Sequence, residues 1–286
     1  MAHNEPRSTP LREGMIGIFT GGLYGIAHTL SGHPLDNIKA RLQMDKAMHS
    51  KSSLEAARMM WCQEGLKAFF RGCLHPLWGS AVYRSMMISG YELCYTFFEQ
   101  RFDATSFWQQ EYCQGLVRPM VVASAILTTL VRVTVEAPIE QAKVMRQTGR
   151  AWEWNLLYRG IASQTVRTAA MLTLIFVPYD YAKRKTTLFG SFFGQFAVVT
   201  TTCGFAYAAA WPLETIKNLT QAGLPTPRAS LAQRLSYVGG PLGLYRGALP
   251  GVLCGGLRNG FGFLAMNGLA NPLATRIGLR DDAAPR

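Results

Sequence analysis

The chain has 286 residues, 49% of them hydrophobic and only 16% charged, a balance too apolar and too poor in surface charge for an ordinary soluble domain of this size. Its net charge of +12 invites a nucleic-acid reading, but no basic run interleaves with aromatics and no zinc or helix-turn-helix spacing occurs. Cys62, Cys73, Cys94, Cys113, Cys203 and Cys254 are scattered without a C-x-x-C pair, so neither a disulfide framework nor a metal site is indicated. No nucleophile, base and orienting acid fall into a catalytic set, so an enzyme is not expected. The first fourteen residues are too polar for a signal peptide, and any targeting signal is expected to be internal.

In chain order, apolar stretches predict six long helices over about 12–43, 73–99, 115–147, 161–187, 190–221 and 248–270. At 1.5 Å per residue each is long enough for a ~30 Å hydrocarbon core. A modest mean hydropathy of +0.07 fits helices with one wet face around a cavity. Small residues (Gly21 and Gly25, Gly204 and Ala208, Gly251 and Gly255) recur where helices in lipid pack closely.

A repeat decides the architecture. Pro34–Gln43, Pro138–Gln147 and Pro212–Gln221 all read Pro-x-acid-x-x-Lys-x-x-x-Gln, and each ends an apolar stretch. Each is followed by an aromatic-Arg-Gly element, Phe70-Arg71-Gly72, Tyr158-Arg159-Gly160 and Tyr245-Arg246-Gly247, after which the next apolar stretch begins. The expectation is one all-α membrane domain with six transmembrane helices. They form three tandem pseudo-threefold repeats of about 11–102, 113–188 and 189–275 around a central cavity. The loops after helices 1, 3 and 5 hold Lys46, Lys51, Arg58, Lys67, Arg71, Arg150, Arg159, Arg228, Arg234 and Arg246 against Asp45, Glu55, Glu64 and Glu153. They are therefore placed on the positive-inside face, with both termini on the other.

These two repeated elements resemble those of the mitochondrial carrier family, over nearly the whole chain and most fully in repeat one, where Glu64-Gly65 precedes Phe70-Arg71-Gly72. The resemblance implies a bundle in the mitochondrial inner membrane, with odd helices kinked at Pro34, Pro138 and Pro212, basic loops in the matrix and termini toward the intermembrane space. It also implies alternating access around one central site.

Proline removes a backbone donor and bends a helix, which draws the three motif ends together. The acids are then expected to meet the lysine of the next repeat: Asp36 with Lys143, Glu140 with Lys217, Glu214 with Lys39. Gln43, Gln147 and Gln221 brace the pairs as a matrix gate. The family's second element, aromatic-acid-x-x-basic, is complete only at Tyr179-Asp180-x-x-Lys183; Glu92 is left to pair with Lys183, and Asp180 is expected to lack a partner. Glycines at the even-helix starts, with free donors and a positive helix end, suit a phosphate. The resemblance assigns cardiolipin to Arg71, Gly72, Arg159, Gly160, Arg246 and Gly247, and no cofactor.

The family's substrate position, seven past that glycine, falls on Gly79, Arg167 and Cys254, with Thr168 beside Arg167. Arg258, one turn past Cys254, and Arg84 on helix 2 are further candidates, as are His28 and Arg132, each six residues before its proline. Glu136 is the acidic exception. Charges inside a bundle face water or one another. The arginine excess therefore favours a small anion, best a carboxylate or oxoacid, moved by a secondary transporter. The other reading is a degenerate carrier-fold subunit of a larger inner-membrane assembly, suggested by the incomplete cytoplasmic gate and by a connection between Gln147 and Tyr158 too short for a second matrix helix.

Overall fold

Proline tolerates the first turn of a helix, where its missing N–H costs nothing, and α1 (Pro10–Met44) starts on one, with Glu13 near the positive helix end. This computed structural model describes residues 8–44, 53–147, 154, 157–226, 228–245 and 248–279, without the side chains at 39–44, 53, 75, 142–147 and 250. After α1 follow α2 (Ser53–Glu64) and α3 (Leu66–Phe70), separated by Gly65 in the positive-φ region that glycine enters without strain. The remaining long helices are α4 (Leu74–Arg101), α5 (Pro119–Gln147), α6 (Ile161–Lys185) and α7 (Phe192–Ala222). The short α8 (Leu231–Tyr237) is fixed by a reciprocal capping box between Ser230 and Gln233. α9 (Ala248–Ala265) continues through a π-turn at Met266–Ala270 into α10 (Asn271–Arg276).

The six long helices close a ring in which each touches both neighbours: α1 with α4, α4 with α5, α5 with α6, α6 with α7, α7 with α9, and α9 back to α1. By length and composition, α5 over Pro119–Gln141, α6 and α7 are each apolar enough to cross a membrane. The chain is all-α among its described residues, apart from an isolated bridge between Tyr112 and Val117. Pro34, Pro138 and Pro212 lie inside α1, α5 and α7.

Two packing features set the shape. Along α1, Gly17, Gly21 and Gly25 lie against the backbone of α4; a Cβ on Gly25 would fall 2.5 Å from the Ser80 carbonyl oxygen. Toward the other end of the helices, Tyr91 of α4 stacks on Phe176 of α6 with ring centroids 3.7 Å apart, in a core shared with Met120 and Val121 of α5. Such stacking adds to the area that aromatic rings bury.

Two boundaries differ from expectation. α5 starts at Pro119 rather than near 115, because Cys113, Gln114 and Gly115 hold positive φ in a tight turn closed by the Tyr112–Val117 bridge. The last span does not stop at 270, because Pro272 sits in the first turn of α10, where a proline continues a helix rather than ending it.

Candidate substrate cavity and gates

A cavity of about 1060 Å³ including its open mouth lies inside the ring, lined by α1, α4, α6, α7, α9 and α10. Its charged lining is Glu13, Arg84, Glu92 and Lys183. Arg84 stands beside His28, with Nη2 2.9 Å from the imidazole Nε2, and its guanidinium lies 5.0 Å from the Tyr24 ring centroid. The Tyr24 hydroxyl donates to Asn259 Oδ1 at 2.6 Å, which fixes the ring from the neighbouring helix α9. Among the described residues no carboxylate lies within ion-pair distance of Arg84.

The other expected substrate arginines are each matched by an acid, which corrects the reading of an arginine excess. Arg132 Nη2 lies 2.7 Å from Glu136 one turn along α5, Arg167 Nε lies 2.5 Å from Glu214, and Arg258 Nη2 lies 2.6 Å from Asp36. Thr168 is fully buried and does not line the cavity, so its place beside a substrate is also corrected: it faces helix packing. At Gly79 a Cβ would meet the Tyr83 hydroxyl at 3.1 Å, so the room expected there is filled from within α4.

At the end of the ring where the three motif prolines lie, Lys217 Nζ lies 2.8 Å from Glu140 and 3.4 Å from Glu214 of its own helix. Glu214 also engages Arg167 of α6, and Asp36 engages Arg258 of α9. The side chains of Lys39, Lys143, Gln43 and Gln147 lie outside the described residues. Gln221 is buried.

Sequence reasoning passed over the residue that follows each motif acid. Asn37 donates from Nδ2 to the carbonyls of Phe69 at 2.8 Å and Arg71 at 3.2 Å, capping the end of α3. Thr215 donates to Leu244 at 2.8 Å at the matching place in repeat three. Gln141, in repeat two, instead reaches the Gln221 carbonyl at the end of α7, 3.4 Å away. Most of the connection after α5, where a second matrix helix was not expected, lies outside the described residues.

Toward the opposite mouth, Glu92, Tyr179 and Lys183 line the cavity together. Asp180 is not partnerless, as the family pattern implied: Arg118 Nε donates to its Oδ2 at 3.0 Å and Arg184 Nε does so at 2.9 Å. Arg184 also bonds Glu111 and the Gly115 carbonyl, and Lys185 sits 2.9 Å from Glu111. With those cations around it, and the Lys185 hydrogen bond foremost, the Glu111 carboxyl is held below its ordinary range. In repeat three the charges are replaced by amides, Asn271 bonding Asn267 and Asn267 bonding Gln195, each at 3.0 Å.

At the even-helix starts, Gly72 has positive φ and open space beside it, while exposed Arg71 lies 3.5 Å from Glu64. Gly160 packs on Thr220 and Gln221, and the Arg159 guanidinium lies against Gly223, where α7 ends. Arg246 and Gly247 lie outside the described residues.

Comparison with known proteins agrees with this architecture. The family model described as mitochondrial carrier protein matches residues 13–102. The mitochondrial arginine transporter BAC2 of Arabidopsis thaliana is 26% identical over 223 residues, 71% of this chain and 72% of its own length. The mitochondrial carnitine carrier of Saccharomyces cerevisiae is 24% identical over 281 residues, covering 86% and 84%. Mitochondrial magnesium exporter 1 of Drosophila melanogaster is 28% identical over 174 residues, 59% of this chain, and the match spans 52% of the fly protein's length.

Proposed function

We propose that this chain is a mitochondrial carrier, a secondary transporter whose solute is a small carboxylate held on Arg84 in the cavity. One observation supports it above the rest: Arg84 faces the cavity with no carboxylate in ion-pair range among the described residues, whereas Arg132, Arg167 and Arg258 are each neutralised. A guanidinium fork matches a carboxylate in two parallel hydrogen bonds. The arginine and carnitine named for two relatives each bear a carboxylate; the magnesium named for the third does not.

In this reading the protein sits in the mitochondrial inner membrane with its basic loops in the matrix and its termini toward the intermembrane space. Asp36, Glu140, Glu214 and Lys217 form the matrix gate, while Glu92 and Lys183 close the other mouth in turn. Cardiolipin fits best at Arg71 and Gly72, where the helix start is open. The deciding experiment is uptake by the protein reconstituted in liposomes, across a panel of carboxylates, amino acids and nucleotides. Arg84→Ala is expected to abolish uptake of whichever carboxylate the wild type moves, and undiminished uptake would overturn the assignment.

A second reading, a carrier-fold subunit of a larger inner-membrane assembly, is favoured by one observation: Asp180, a gate acid by motif, is held by Arg118 and Arg184 of its own repeat. Copurification in fixed stoichiometry, with no transport by the isolated protein, would support it.

A further inference from the structure

The lining of the cavity changes character in layers along α4. Arg84, Met87, Ile88, Tyr91 and Glu92 all face it. Met87 and Ile88 stand one helix turn from Arg84, roughly 4.5–6 Å along the axis, and Tyr91 and Glu92 stand two turns away, roughly 10.5–12 Å, at the mouth lined by Lys183. The middle layer is closed from the other helices by Ile175 of α6, Val199 of α7 and Phe263 of α9, in one apolar cluster. Charge returns to the described lining at the rim, where Glu92 and Lys183 are joined by Glu13, eleven residues from Tyr24 along α1.

At the floor of this column Arg84 turns Nη2 to His28 and Nη1 toward the Met87 sulfur, 3.8 Å away. A thioether is a weak acceptor, and a carboxylate oxygen displaces it readily from a guanidinium. The substituent of a carboxylate extends away from its oxygens, so a solute anchored on Arg84 from the mouth side lays its body against Met87, Ile88, Ile175, Val199 and Phe263.

We propose that this layer is a subsite for an apolar solute body, and that the solute is a monocarboxylate with an aliphatic or aromatic body rather than a di- or tricarboxylate. The proposal deepens the carboxylate reading and rests on it. Arg84 provides for one carboxylate. A second one on a short body ends among apolar side chains, where a charge without a partner is costly. On a longer body it ends at a rim that sets two carboxylates, Glu13 and Glu92, against one lysine. A methyl or phenyl terminus gains instead, because each carbon that enters the layer leaves water.

The test uses the purified full chain in detergent and the sodium salts of acetate, propanoate, butanoate and pentanoate. Sodium chloride controls for ionic strength, and alcohols of equal length control for partition into the micelle. The midpoint of the Tm shift is expected to tighten about threefold for each added carbon. Succinate, which is butanoate with its terminal methyl replaced by a second carboxylate, is expected to bind about tenfold more weakly than butanoate. Equal midpoints from acetate to pentanoate, or succinate tighter than butanoate, would overturn the subsite. Val199→Asn, which sets an amide in the layer, is expected to reduce the step per carbon, and an undiminished step would also count against it. Should Val199→Asn not fold, Ile175→Thr, a milder change at a half-buried position, gives the same comparison. Arg84→Gln separates the two ideas. A chain-length series that persists without Arg84 upholds the subsite and ends the assignment of the carboxylate to that residue. An acetate response that needs Arg84 but does not grow with chain length does the opposite, and no shift with any of the acids overturns both.

Discussion

Arg118, one residue before α5, is bonded to Asp180, near the end of α6, and both side chains are almost wholly buried, 12% and 7% exposed. The Arg118 guanidinium also reaches the Tyr95 hydroxyl of α4, and Arg184 meets Asp180 from the other side. A motif acid expected at a moving gate is thereby built into a clamp that joins α5 to α6. Removing one partner of a buried pair leaves an uncompensated charge, at a cost of about 3–5 kcal/mol. Asp180→Asn is expected to lower Tm markedly while leaving uptake per folded molecule intact. Lys183→Ala, at the cavity mouth, is expected to do the reverse. Melting curves and liposome uptake on the same preparations check both, and an unchanged Tm for Asp180→Asn would contradict the clamp.

The outer edge of that clamp is titratable. Glu111 is held below its ordinary value of 4.5 by the Lys185 hydrogen bond first, then by the nearby Arg184, Lys185 and Arg118 charges. A carboxyl lowered on folding stabilises the fold at pH values above its unfolded pKa and loses that contribution as pH falls through the folded one. The Tm difference between wild type and Glu111→Gln is therefore expected to be constant above about pH 5.5 and to shrink below 4.5. It is expected to be small and reduced by salt, because the site is open to solvent. A difference that grows on acidification would contradict the sign.

The ring of six helices was legible because its signals are covalent: Pro34, Pro138 and Pro212 open the same ten-residue pattern, and each is followed by an aromatic-Arg-Gly element. Of the partners of the acids, Lys217 for Glu140 was legible from the repeat spacing, but the arginines on Asp36 and Glu214 were not, because sequence spacing does not say which cation a rotamer will choose. Arg118 escaped notice for a different reason. It lies in a loop before α5, outside every helical motif, and only the fold returns it to α6. Asn37, Gln141 and Thr215 left a usable signal, since a polar donor follows the acid in all three motifs.

Those three donors make a prediction of their own. Asn37 satisfies several carbonyls at the end of α3, and a hydrogen bond of this kind contributes about 1 kcal/mol net. Asn37→Ala is expected to loosen α3 from α1, read as faster amide hydrogen exchange over 66–70 with exchange in α7 unchanged. Gln141→Ala is expected to speed exchange near 221–224 instead, because its acceptor is the Gln221 carbonyl. Identical exchange patterns for the two variants would contradict the assignment of different docking partners to equivalent positions.

The glycines of α1 provide the last test, with its control one helix turn away. A Cβ at Gly25 would lie 2.5 Å from the Ser80 carbonyl oxygen and 2.7 Å from Ala81 Cα, and at Gly21 it would lie 2.5 Å from the Arg84 carbonyl oxygen. These are backbone atoms of α4, so neither clash is relieved by a rotamer change; the two helices must part. At Gly22 the nearest atom is the Ser85 hydroxyl at 3.3 Å, a side chain that can turn aside. Overpacking of this kind costs about 1–3 kcal/mol, while alanine in place of a helical glycine gains up to about 1 kcal/mol. Gly22→Ala is therefore expected to hold or raise Tm and Gly25→Ala to lower it. Moving α4 outward also carries Arg84 away from His28 on α1, 2.9 Å distant in the intact ring. Gly21→Ala is thus expected to weaken carboxylate binding as well as stability. Equal Tm values for the Gly22 and Gly25 variants would mean that α1 and α4 do not approach as closely as their backbones indicate.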